Sequence, residues 1–190
     1  MKIRPANKRG TVTLEVSRRD DTLLSQAPAM SLAIKRILVP IDFSEFSYKS
    51  LDYANAFAVQ SKAEIVLFHV VPLNYVETEV IAFDYSQIEK QTTASCGARL
   101  EKLRQHRVDP SLRVQAHVRV GRPVDEIVKA AKDFDADLII MSTHGYTGIK
   151  HAFLGSVTEN VVRYAPCPVL TVRLKEHDFV PSHCEEVEKD

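Results

Sequence analysis

An α/β domain on a five-stranded parallel sheet, ordered 3-2-1-4-5 with helices on both faces, is the fold class this sequence predicts. Three observations lead there. From Lys35 onward, short apolar runs alternate with stretches of helical periodicity. The runs stop abruptly at proline, glycine or small polar residues, as strand ends do. Five runs with four helical stretches between them require crossover connections, which parallel strands need and hairpins do not. In a sheet ordered this way the first and fourth strands are neighbours whose connections leave in opposite directions, and ligands bind beyond their carboxyl ends.

Residues 1–33 read as an N-terminal extension with its own character, a flexible appendage. Basic Lys2, Arg4, Lys8 and Arg9 and the cluster Arg18-Arg19-Asp20-Asp21 surround one alternating patch, Val12-Leu14-Val16. A mobile arm, an added edge strand or an artefact of start-codon choice all fit it, since the domain pattern begins just after Met30. The domain is expected over 34–174. Arg36-Ile-Leu-Val-Pro-Ile41 is the first strand and breaks into Asp42-Phe-Ser44, after which Leu51, Ala54 and Ala58 recur at helical spacing. Ile65 to Val71 is the second strand, ended by Pro72. A long connection from Leu73 to about Asp84 is either an irregular loop or a flap over a ligand, and it leads to a helix whose face is Ile88, Thr92, Cys96, Leu100 and Leu103.

Arg113 to Val120 alternates apolar and polar side chains, as an edge strand with one wet face would. Gly121 ends it. Pro123 suits a helix first turn, Asp125 and Glu126 complement the dipole, and Val124, Ile127, Val128, Ala131 and Phe134 form the apolar stripe. Leu138 to Met141 is the fourth strand, and a last helix is expected from about Ser156 to Tyr164. Pro166 and Pro168 stop that helix and launch the final strand, Val169 to Arg173. Residues 175–190 form a polar tail carrying Glu185, Glu186, Glu188 and Asp190.

Composition excludes several function classes. Formal net charge is zero and the charges are dispersed, so the basic footprint of a nucleic-acid binder is missing. Cys96, Cys167 and Cys184 are three widely spaced cysteines, which suits neither a disulfide framework nor a metal knuckle and fits a reducing cytosol. No apolar run approaches the roughly 20 residues that cross a bilayer. A soluble, cytoplasmic protein is the expectation.

The chemistry concentrates in the loops after the first and fourth strands. Leu138 to Met141 breaks into Ser142, Thr143, His144 and Gly145, and the chain reaches Gly155 and Ser156 just before a helix. N–H groups at a helix start lack partners inside the helix and carry about half a positive charge, so anions collect there. Glycines let a phosphate approach the backbone. A phosphate site, best suited to a nucleotide, is the leading expectation. Asp42 is a candidate to accept hydrogen bonds from a nucleoside or to hold a divalent metal with the phosphates; its plain alternative is a turn or helix-cap role. Ser156 is a candidate phosphate contact and helix cap. His144 has no evident partner for acid–base work, His69 reads as a core histidine, and His117 and His151 read as surface residues. Cys167 reads as packing, and Lys150 and Arg163 as phosphate neighbours or a solvated helix face. No Walker-type Gly-Lys-Ser/Thr is present.

These residues resemble the universal stress protein family, over about Lys35 to Arg173. The likeness runs from Ile37-Leu-Val-Pro-Ile-Asp-Phe-Ser44 through Phe68-His-Val70 to Pro166-Cys-Pro-Val-Leu-Thr-Val172. Its most specific element is a nucleotide motif of glycine, two residues, glycine, nine residues, glycine, then serine or threonine. Here Gly145 is the second glycine, Gly155 and Ser156 close the motif, and Ser142 replaces the first glycine; Gly148 lies inside the spacer. The resemblance implies an adenine-nucleotide alpha-hydrolase-like fold of the ATP-binding subclass. Carried over by position, Pro40, Ile41, Asp42 and Val70 would surround adenine and ribose. Met141, Ser142, Gly145, Gly155, Ser156 and Val157 would line the ribose and phosphate side. It also implies ATP as ligand, with Mg2+ reaching Asp42 through the phosphates, at most slow hydrolysis with no catalytic residue, and a homodimer paired through residues 168–173. The rival expectation is a protein of the same fold that has lost nucleotide binding and acts through protein–protein contacts.

Overall fold

The computed structural model describes residues 2–5, 12–15, 33–72, 82–143, 155–173 and 180. The chain divides into two compact units, Met1–Leu32 and Ala33–Asp190. In the first, β1 (Lys2–Pro5) pairs antiparallel with β2 (Val12–Glu15) in a sheet of their own.

The second unit alternates strand and helix throughout: β3 (Arg36–Pro40), α1 (Glu45–Ser61), β4 (Glu64–Pro72), α2 (Ala82–Arg107), β5 (Val114–Gly121), α3 (Pro123–Asp133), β6 (Leu138–Ser142), α4 (Ser156–Tyr164) and β7 (Val169–Val172). All pairings in its sheet are parallel, and the order is β5-β4-β3-β6-β7, which is 3-2-1-4-5 counted within this unit. Strand β5 is an edge, as its polar alternation predicts, and β7 is the other edge. β3 and β6 lie side by side with Ile37 opposite Leu138.

The two-residue period of the strands sorts their apolar side chains onto two faces. Ile37, Val39, Ile65, Leu67 and Ile140 pack with Leu51, Ala54 and Ala58 of α1 and Leu100 and Leu103 of α2. Leu38, Val66, Phe68, Ile139 and Met141 pack on the other face with Ile127, Ala130 and Ala131 of α3 and Val161 of α4. Both faces are covered, which is why these strands read as continuous apolar runs. Val180, from beyond the last strand, also packs against the first cluster.

Two details depart from the periodicity reading. Ile88 is 53% exposed, while Leu100 is fully buried on the same helix. Helix α2 has 26 residues and is about 39 Å long; the eight-residue β5 that it packs on spans about 26 Å. Ile88 and Leu100 are also 12 positions apart, about 120° round the helix axis, so the face that buries Leu100 and Leu103 leaves Ile88 turned aside. On α3, Ala130 takes the buried place expected of Val128. Ile127, Ala130 and Ala131 stand at i, i+3 and i+4, one face of the helix, whereas Val128 is turned about 100° away. The 73–81 connection and most of the tail lie outside the described residues.

Candidate functional site

At the carboxyl end of the sheet, beside the β3–β6 junction, lies a cavity of about 450 Å3, within the range of small-molecule sites, about 300–1,000 Å3. Its apolar walls come from the tips of three strands: Pro40 and Ile41 after β3, Phe68 and Val70 on β4, and Met141 on β6. Pro123 and Ile127 of α3 and Val157 of α4 close another side. The polar side chains are Asp42, Ser47, His69, Ser142, Ser156 and Thr158. Of the ten positions expected around a nucleotide, Pro40, Ile41, Asp42, Val70, Met141, Ser142, Gly155, Ser156 and Val157 meet at this one cavity. Gly145 lies outside the described residues, as do His144, Gly148, Lys150, His151 and Cys184.

The first wall is set by the turn that leaves β3. The Ile41 N–H donates to the Phe68 carbonyl at 2.8 Å, continuing the parallel ladder one step past the strand. Then the chain turns sharply at Phe43, whose φ is 61°. Asp42 Oδ1 accepts from the Ser44 N–H at 3.0 Å and from its hydroxyl at 2.5 Å, and Ser44 Oγ accepts from the Ser47 N–H at 3.3 Å as the cap of α1. Asp42 therefore performs its turn role and stands in the cavity wall at once.

The second wall is a helix start. Gly155, not Ser156, occupies the cap position of α4, with φ −57° and ψ 145°. Its N–H donates to the Thr143 carbonyl at 2.8 Å, and a β-carbon there would stand 3.0 Å from that same oxygen. Close approach, rather than an unusual backbone angle, is what requires glycine here. Ser156 and Val157 then present first-turn N–H groups that have no carbonyl partner within the helix. Thr158, buried, donates from Oγ1 to the Ser142 carbonyl at 2.8 Å and ties the helix start to the tip of β6.

Sequence reasoning missed Thr158 as a site residue because the motif stops at Ser156; a polar residue on the strand-facing side of a first turn was the available signal. His69 differs in a more informative way. Its Nδ1 donates to the Ile41 carbonyl at 2.7 Å, since a carbonyl only accepts, and so the imidazole edges the cavity with a fixed tautomer. Burial pulls its pKa below the ordinary value and Arg99 adds to this, against the opposing effects of the Ile41 hydrogen bond and Asp42. Arg163, a candidate phosphate neighbour, sits in the last turn of α4 and faces Glu159 at 3.4 Å, at the wrong end of the helix for that purpose. Cys167 packs against the second core cluster, and burial raises its thiol pKa. His117 stacks 4.6 Å from Phe134 at the β5 edge, away from the cavity. Among the described residues no cluster of three His, Cys, Asp or Glu could hold a metal, and no helix is long and apolar enough to cross a membrane.

Known proteins share both the sequence and this layout. The chain is 33% identical to universal stress protein MJ0577 of Methanocaldococcus jannaschii, covering 77% of this chain and 99% of that protein. It is 29% identical to universal stress protein YxiE of Bacillus subtilis, over 73% and 98% of the two chains. The solved structure of MJ0577 superposes with a TM-score of 0.68 at 34% identity, covering 77% of this chain and 100% of that one. A universal stress protein in complex with cAMP shares the fold, with a TM-score of 0.55 at 23% identity, over 74% and 97% of the chains. The description of the Universal stress protein family matches residues 33–173, so this chain belongs to the universal stress protein family.

Proposed function

We propose that the chain binds ATP in the cavity between β3 and β6 and works as a nucleotide-dependent stress-response switch, with at most slow hydrolysis. The observation that carries this reading is the division of the cavity. Apolar side chains of Ile41, Val70, Met141 and Val157 suit a purine, while Gly155 to Val157 offer a helix start to phosphates. Gly155 lets the start of α4 close on the Thr143 carbonyl, which keeps the helix start at the tip of β6. A universal stress protein of this fold in complex with cAMP supports the same reading. Asp42 would share a Mg2+ ion with the phosphates, as a hard carboxylate ligand.

Edge strand β7 would pair with its copy across a two-fold axis, through residues 168–173, because its outer backbone groups lack a strand partner within this sheet. Ser142 favours one rival reading. Its β-carbon and hydroxyl occupy the cavity wall where the family motif has glycine, as in a protein that acts through protein contacts without nucleotide. Calorimetric titration of the full chain with ATP and magnesium decides between them. A saturable heat at micromolar to millimolar ATP is expected; no heat at millimolar ATP would remove the ATP reading, and a purified sample free of nucleotide together with a partner recovered by pull-down would favour the rival.

A further inference from the structure

The tip of β3 holds a backbone conformation that its residue type resists. At φ 61° the Phe43 β-carbon crowds its neighbouring carbonyl, and an aromatic residue stays in this region only where the surroundings over-determine it. Three contacts do so. His69 Nδ1 donates to the Ile41 carbonyl at 2.7 Å. The His69 ring lies 4.6 Å from the Phe43 ring. The Arg99 guanidinium covers Phe43, 3.9 Å from the ring centroid.

Arg99 reaches this point from α2, which packs on the face of the sheet carrying Leu67 and Phe43, opposite the face of Phe68 and Val70. It is not among the residues lining the cavity. Phe43, however, comes directly after Ile41 and Asp42, both in the cavity wall, and precedes Ser44, which caps α1. The Phe43 backbone thus lies between Asp42 and Ser44, the two residues whose hydrogen bonds close the turn.

We propose that Arg99 is a positioning residue for the nucleotide site: by clamping Phe43 it holds the 41–44 turn in its binding shape and couples α2 to the cavity. This rests on the nucleotide reading above. A bare electrostatic role differs from it in one respect: a charge would attract phosphates, whereas a clamp serves the nucleoside end and acts without them.

The test uses the full chain with Arg99→Ala and Arg99→Lys, titrated with ATP and separately with adenosine. An exposed guanidinium over a ring has a worth that corresponds to about a two- to fivefold change in affinity. Arg99→Ala is expected to weaken ATP and adenosine by that same factor, and Arg99→Lys, which keeps a cation for the ring, to restore most of it. A loss confined to ATP, or none at all, overturns the clamp. Hydrogen exchange in the ligand-free protein gives a second reading. The Ser44 amide, bonded to Asp42, is expected to exchange several-fold faster in Arg99→Ala, at an unchanged unfolding midpoint. Unchanged exchange overturns the clamp whatever the nucleotide does. Faster exchange in a protein that binds neither ligand keeps the clamp and removes the nucleotide reading instead.

Discussion

The two ends of the five-stranded sheet treat their strand termini in opposite ways. At the amino end, Asp137 Oδ2 accepts from the backbone N–H groups of Lys35 and Arg36 at 2.8 and 2.9 Å, and the Asp137 N–H donates to the Arg36 carbonyl at 2.9 Å. Arg36 in turn meets Asp135 at 3.1 Å. The start of β3 is thus satisfied by the chain's own groups. At the carboxyl end the strands stop against a cavity, and the polar groups there belong to a turn held at positive φ and to a helix start. The contrast is between a β3 start closed by the chain's own hydrogen bonds and strand tips that border a cavity, where the proposed function puts the nucleotide. Stability and binding should then separate by end.

Substitutions sharpen or break that separation. Asp137→Ala removes the acceptor for two N–H groups at the closed end. A loss of about 1–2 kcal/mol is expected in denaturant unfolding, the value for charged acceptors reduced for an exposed site. ATP affinity should stay within twofold, and a large affinity loss would erase the contrast between the ends. Gly155→Ala works the other way. Its β-carbon would press on the Thr143 carbonyl at 3.0 Å, and ATP affinity is expected to fall about tenfold, roughly 1.4 kcal/mol, with adenosine affected much less. Equal losses for both ligands in calorimetry would mean that the cavity has no distinct phosphate side.

Thr158→Val keeps the side-chain shape and deletes the bond to the Ser142 carbonyl. A destabilisation of about 1 kcal/mol is expected from the shift in the urea midpoint, and an unchanged midpoint would show that the β6 tip and α4 are joined by packing alone. The smallest effect concerns pH. His69 titrates below its ordinary 6.5 in the folded protein because of burial, so the unfolded chain takes up the proton first as pH falls. Its contribution is complete above about pH 6.5 and is lost as the pH drops from there toward the folded-state value. His117 shifts the same way, so the measurement is the difference between wild type and His69→Gln in unfolding free energy against pH. Parallel curves would exclude His69 from the linkage.

Much of the layout was legible because its causes are local. The apolar runs around Leu38, Val66 and Ile139, the proline at the start of α3 and the paired prolines before β7 each act within a few residues, so their elements are readable without neighbours. Gly155 was picked out as a place of close approach by a phosphate; the close neighbour in the structure is the Thr143 carbonyl, which lies 12 residues back and which no local pattern indicates. The burial of Leu100 and the exposure of Ile88 were not read from the pattern, because a strict four-residue spacing drifts round the helix by about 40° per step and only the packed sheet shows which part of that drift faces the core.

By itself, then, the sequence determined which segments are strands and helices, which faces are apolar and which loops carry the small and acidic residues, because periodicity and backbone preference are properties of short stretches. Tertiary structure alone decided that Arg99 reaches Phe43, that His69 holds its proton on the nitrogen facing Ile41, and that Thr158 fastens α4 to β6. Those contacts join residues far apart in the chain, and no pattern within one segment fixes a distance to another; only the packing of the helices on the sheet does.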